Sequence, residues 1–321
     1  MRTLFSAVLV LIALVGCTGA IQAPVLIPSN EVAGAAPASK LLASASGLSG
    51  QRGRGLPYEV AGSEVWNVPD PASGRDYQLF VALPPSYSEH PDRRYPVLYV
   101  TDADYAFALV RSIGRRLNVE GPKVDEFILV GLSYAVGEEG MTSRRRDYTP
   151  TSPDDGASAD VVRGEGAAYA AYLRNHVIPF VAARYRSDEG KRLLLGHSYG
   201  GLLGTQILFS EPGMFSGYVL GSPSYWYDQN AMERFEQDYA RSHEDLDASI
   251  YMYVGEYEER TFGKRYNMVS DARGMEKSLK SRNYPSLRVK LDVLNDEDHL
   301  SVAPRGFTQG LKYLLSTEVK N

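Results

Sequence analysis

The sequence predicts an α/β fold, a mostly parallel twisted sheet with helices on both faces, and three observations carry the prediction. Short apolar runs of buried-strand type alternate with segments of helical periodicity through most of the chain. The runs are nearly continuous in apolar residues, as strands covered on both faces are. With 44% of its 321 residues apolar and 23% charged, the chain has the composition of a globular protein with one large core. No fixed period recurs, which argues against a solenoid or propeller.

Taken from the amino terminus, residues 1–16 have the composition of an export signal. Arg2 supplies the positive start, residues 4–15 are an almost unbroken apolar run, and Gly16 precedes Cys17. A bilayer-crossing helix needs roughly 20 apolar residues, so this run is short for a span. The residues Leu14-Val15-Gly16-Cys17 resemble the lipobox of bacterial lipoproteins, in which the cysteine becomes the lipidated first residue of the mature chain. Cys17 is the sole cysteine, so no internal disulfide can form and its thiol is free for a thioether. The expectation is an exported protein held to a bacterial membrane by a lipid on Cys17, on the periplasmic side in a Gram-negative cell. Residues 17–57, rich in Ala, Ser, Gly and Pro, suit a flexible tether.

The folded domain is expected over residues 58–321. Residues 77–83 alternate like a half-exposed strand and end at Pro84-Pro85, and 97–100 and 127–130 are buried-strand runs. Residues 104–117 and 167–184 carry apolar residues at helical spacing. Runs at 192–195, 217–220, 250–254 and 288–294 follow, each separated by a helix or loop, and a final helix closes the chain. In such a sheet the functional groups gather at the carboxyl ends of the strands.

Gly196-His197-Ser198-Tyr199-Gly200 is a G-x-S-x-G pentapeptide placed after the strand 192–195 and before a helix starting near Gly201. The bare pattern is weak in a chain with 30 glycines. Its strand-turn-helix setting is what points to Ser198 as a nucleophile, because the strained turn demands residues without side chains two places either side. A serine hydroxyl needs a base, and histidine is the usual one. Of the five histidines, His90 lies in a charged loop, His176 and His243 in helical stretches, and His197 is locked beside the nucleophile. His299 remains, in the loop after the strand 288–294 and before the closing helix, matching the order serine, acid, histidine of α/β-hydrolases. The expectation is that the Ser198 hydroxyl and the His299 imidazole meet within one hydrogen-bond length. The acid belongs on the loop after 250–254, where Glu256, Glu258 and Glu259 compete; Glu258 stands three residues past Gly255, and spacing leaves Glu256 open.

The tetrahedral intermediate of acyl transfer needs two backbone donors. One is expected at Tyr199, after the nucleophile, and the other at Asp104 in the loop 101–104. Arg144, Arg145 and Arg146 fall in a loop at the catalytic edge, and Arg146 and Trp226 are candidates for contact with an anionic, aromatic substrate.

These residues resemble the Putative esterase family, the esterase D and siderophore-esterase branch of the α/β-hydrolases. The resemblance runs through Arg94-Tyr95-Pro96-Val97-Leu98-Tyr99-Val100 with Asp102, Arg146-Asp147-Tyr148-Thr149-Pro150, Gly196 to Gly201, Ser222-Pro223-Ser224-Tyr225-Trp226, and His299 with the closing helix. It implies hydrolysis of carboxylic esters by Ser198 and His299, with catecholate siderophore trilactones of the ferric enterobactin type as substrates. Acyl transfer to an alcohol, and a lipoprotein that keeps the fold only to bind a ligand, stand as alternatives. No zinc-ligand spacing, phosphate loop or dinucleotide fingerprint is present, so no metal or cofactor is expected, and any iron would arrive with substrate. A net charge of -5 and an isoelectric point near 5.7 give nucleic acid phosphates no electrostatic footprint.

Overall fold

Eight strands form one mixed sheet in the order β1-β2-β4-β3-β5-β6-β7-β8 in this computed structural model, which describes residues 58–156, 158 and 160–317. The expected signal peptide (1–16), Cys17 and the tether (17–57) lie outside the described residues. β1 (Ser63–Asp70), β2 (Arg75–Ala82) and β4 (Ile128–Ala135) pair antiparallel, and β3 (Tyr95–Val100) and β4 are parallel. β5 (Ser187–His197), β6 (Gly217–Gly221), β7 (Ser249–Gly255) and β8 (Arg288–Leu294) then continue the parallel sheet outward from β3. This is the α/β-hydrolase architecture that the periodicity and the elbow motif predict.

The apolar runs are buried on both faces. In β7, Ile250 and Met252 enter one core layer while Tyr251 and Tyr253 enter the other; in β5, Leu194 faces one layer and Leu193 and Leu195 the opposite one. Helices α1 (Ala103–Leu117) and α8 (Ala303–Leu315) cover the second layer. The first layer is covered by α3 (Gly166–Tyr172), α4 (Ile178–Arg184), α5 (Tyr199–Ser210), α6 (Ala231–Ser242) and α7 (Met268–Ser281).

Three elements differ from the sequence expectation. β1 has no strong apolar run because it is an edge strand, exposed along most of its length and carrying Pro69 near its end. The helical stretch 167–184 is α3 and α4 joined by a π turn at Leu173–Val177, with Pro179, which lacks an N–H, in the first turn of α4. Arg144, Arg145 and Arg146 lie on a helix, α2 (Gly140–Asp147), and not in a loop. Its sequence GMTSRRRD shows no apolar stripe, since its buried face consists of Ser143, Arg146 and Asp147.

Candidate active site

The turn between β5 and α5 is strained in the way a nucleophile elbow requires. Ser198 adopts φ 61° and ψ −119°, outside the regions open to most L-residues. A Cβ on Gly196 would run into the backbone of Gly200, and one on Gly200 would strike the Thr101 hydroxyl. The turn is held by the Ser198 N–H, which donates to Gly221 O at 2.8 Å, and by Leu202 N–H, which donates to Ser198 O at 3.0 Å. Tyr199 is the first residue of α5, so its N–H belongs to the turn that has no acceptor within the helix.

β7 and β8 end beside this elbow. The chain leaves β7 in a short 3-10 turn, Glu256–Glu258, that turns Glu258 inward and leaves it 1% exposed. One carboxylate oxygen of Glu258 accepts from Gly255 N–H and from the Ser222 hydroxyl, both at 2.7 Å; the other meets His299 Nδ1 at 2.6 Å. A carboxylate only accepts, so a neutral His299 carries its proton on Nδ1 and keeps Nε2 as the acceptor. Glu256 is turned the other way, accepting from Asp296 N–H at 3.1 Å. Of the two glutamates that spacing leaves open, Glu258 is the one the fold brings to His299.

Ser198, Tyr199, Ser224, Glu258 and His299 line a common cavity of about 480 Å³. Among the described residues, the hydrogen-bond partner of Ser198 Oγ is Ser224 Oγ at 3.4 Å and not His299. The expected serine-histidine bond is therefore not formed in this conformation, although both groups face one cavity. A serine hydroxyl turns freely about χ1, and such bonds commonly tighten only around the reacting substrate. Ser222 and Ser224 were not singled out by sequence reasoning; the signal was their place in Ser222-Pro223-Ser224, directly after β6, at the carboxyl edge of the sheet.

Two substrate-contact expectations divide. Trp226 lines the cavity, stacked on Tyr266 with ring centroids 3.9 Å apart and planes within 8°. Arg146 does not. It is 3% exposed and is consumed by Asp147 at 2.8 and 2.9 Å and by Glu138 at 2.7 Å, because it sits on the inner face of α2. Its neighbours take the place assigned to it: Arg144 and Arg145 line the cavity with Lys264 and Arg265. Arg144 is also an internal strut, bonding Asp102 at 2.7 Å and lying 5.5 Å from the centroid of the Tyr199 ring.

Asp104 is likewise not brought to this cavity. It sits exposed on the first turn of α1, its carboxylate accepting from the Ser133 hydroxyl at 2.7 Å, and it lines a separate cleft with Val65 and Phe107. Asp104 lies within the first turn of α1, on the side that meets Ser133 of β4, whereas Asp102, the residue before the helix, is the one whose carboxylate lies beside Gly200 of the elbow.

His197 is pushed down to about 3 by its removal from water and by the neighbouring His299, so it is uncharged at neutral pH and is not a competing base.

The comparisons with known proteins concern family and fold. The family model described as Putative esterase matches residues 71–291. The ferri-bacillibactin esterase BesA of Bacillus subtilis is 26% identical over 272 residues, covering 80% of this chain and 91% of its own. A siderophore enterobactin esterase of Emericella nidulans is 26% identical over 281 residues, covering 78% and 92% respectively. Among solved structures, the BES protein of Bacillus cereus superposes with a TM-score of 0.70 at 24% identity, covering 82% of this chain and 98% of that one, a likeness of fold.

Proposed function

The chain belongs to the Putative esterase family and is an ester hydrolase, and from that premise we propose that it works through a serine acyl-enzyme. In this reading Ser198 Oγ attacks the ester carbonyl while His299 Nε2 takes its proton, and Tyr199 N–H donates to the oxyanion. The imidazolium then protonates the leaving alcohol, and water activated by the same nitrogen releases the acid. Glu258 holds the imidazole tautomer and stabilises its charged form. The observation that carries the reading is the 2.6 Å bond from His299 Nδ1 to a buried carboxylate at the edge of the cavity that holds Ser198.

The substrate proposed is a catecholate siderophore ester, linear or cyclic. The curated relatives are named as esterases of ferri-bacillibactin and enterobactin. The cavity adds chemistry that suits such a ligand: Arg144, Arg145, Lys264 and Arg265 are cations for an anionic catecholate, and the Trp226–Tyr266 stack offers an aromatic face. The lipid anchor on Cys17 and the exported location are part of the same proposal, and mass spectrometry of the mature amino terminus tests them. Ser198→Ala should abolish hydrolysis of p-nitrophenyl butyrate and labelling by a fluorophosphonate while leaving the circular dichroism unchanged; wild-type turnover would refute the serine mechanism. Rates on ferric and iron-free enterobactin against p-nitrophenyl butyrate test the substrate, and equal efficiency on all three would remove the siderophore assignment.

A further inference from the structure

We propose that His197, the residue between Gly196 and the nucleophile, is a positioning residue for the general base, its Nε2–H clamping the main-chain carbonyl of His299. The inference rests on the serine-hydrolase reading above, since it assigns to His197 the task of holding the group that reading makes the base.

The donor is fixed by chemistry. His197 Nε2 lies 3.0 Å from His299 O, and a carbonyl can only accept, so Nε2 carries the proton. Nδ1 is then the acceptor, and the Tyr253 hydroxyl is there to donate to it at 3.1 Å. Tyr253 is fully buried, and a side chain at Gly221 or Gly306 would collide with its ring, so the hydroxyl that selects the tautomer is itself held in place. Both ring nitrogens of His197 are thereby used, and the ring has one orientation open to it.

The base needs such a clamp. His299 stands on a loop whose next residue, Leu300, is 86% exposed, and its own side chain is 33% exposed. Glu258 fixes the ring through Nδ1, and the flanking backbone is tied down by Tyr257 N–H to Glu297 O at 3.0 Å and by Val302 N–H to Asp298 O at 3.1 Å, so the carbonyl of His299 itself is what His197 is left to hold. The Ser198 hydroxyl is bonded to Ser224, so no serine-histidine bond holds the loop in this conformation. The bond from His197 joins the backbone of the base to the residue covalently attached to the nucleophile, and the two imidazoles lie with centroids 4.7 Å apart. Base and nucleophile are in this way referenced to the same strand end, that of β5. Because His197 stays neutral, it adds no second positive charge beside the imidazolium that forms during the reaction.

The test is a kinetic series on the full chain with p-nitrophenyl butyrate: wild type, His197→Leu, His197→Gln and Ser198→Ala. A misplacement near 1 Å costs up to about 100-fold in rate, so His197→Leu should lower kcat roughly 10- to 100-fold with KM changed less than about two-fold. Glutamine carries an amide N–H at a similar reach, so His197→Gln should recover most of the lost kcat. A wild-type kcat in His197→Leu, a change confined to KM, or equal losses in both variants would overturn the clamp. Ser198→Ala separates the two levels: if it is inactive and His197→Leu is fully active, only the clamp fails, whereas an active Ser198→Ala removes the reading beneath it. Should His197→Leu not fold, Tyr253→Phe takes its place. It removes the Nδ1 donor and should lower kcat several-fold at unchanged KM; unaltered kcat there also overturns the proposal.

Discussion

Glu258 and His299 are joined by a 2.6 Å bond between a carboxylate that is 1% exposed and an imidazole that opens onto a cavity. The buried partner is the better anchored, because the Ser222 hydroxyl and the Gly255 N–H both donate to its other oxygen at 2.7 Å. Orientation therefore runs from the core outward: the strand ends hold the carboxylate, the carboxylate holds the ring, and the free nitrogen of the ring is left for chemistry.

Glu258→Gln should keep the fold and lose the rate. The amide can donate to Nδ1 and so favours the tautomer with its proton on Nε2, which is useless as a base. A fall in kcat on the order of 10³- to 10⁴-fold is expected, measured on p-nitrophenyl butyrate with circular dichroism as the control. Glu256→Gln, facing Asp296, should stay within about two-fold of wild type.

Arg145 and Arg146 of α2 should separate by assay. Arg146→Met leaves Asp147, whose carboxyl burial already pushes up, without its buried counter-charge, a loss of roughly 3–5 kcal/mol. Chemical denaturation should read it, with KM unchanged in the protein that remains folded. Arg145→Ala, at an exposed cavity wall, should alter stability by no more than about 0.5 kcal/mol. It should raise KM for an anionic ester and leave KM for a neutral one alone.

Gly200→Ala should damage both stability and turnover. The added methyl group meets the Thr101 hydroxyl and lies close to Asp102, forcing the end of β3 away from the elbow. Overpacking of this kind costs about 1–3 kcal/mol. Thermal unfolding and kcat measured together check it; a variant that matches wild type in both would show that the elbow tolerates a side chain at this place.

Asp271, on the first turn of α7, is pushed up to about 6 by burial first and then by Glu259 and Glu233. Its folded-state pKa is thus above that of the unfolded chain, so protonated Asp271 favours folding, and that contribution is lost as pH rises from about 4 through 6. Asp271→Asn should therefore be more stable than wild type at pH 7, by on the order of 1–2 kcal/mol, with the advantage shrinking towards pH 4. Denaturant midpoints at the two pH values test the sign.

What was legible in the sequence is what short-range sterics encode. The elbow is written in contiguous residues, because a strained turn needs Gly196 and Gly200 within four positions of each other, and so Ser198 could be named before any fold was known. The inner strands were legible because burial on both faces leaves a continuous apolar run. β1 and α2 were not: an edge strand needs only one apolar face, and α2 buries charge in place of carbon.

Sequence by itself determined the α/β architecture, the nucleophile candidate Ser198 and the histidine opposite it, because these depend on local pattern and on chain order. Tertiary structure alone decided which glutamate meets His299, that Arg146 faces inward while Arg144 and Arg145 face the cavity, that Asp104 turns away from the elbow, and that Ser198 bonds Ser224. The reason is directional. A one-residue step on a helix or tight turn rotates a side chain by about 100°, so neighbours in sequence that look equivalent are sent to opposite surfaces. Which of them faces the site is set only when strand ends far apart in the chain are packed side by side.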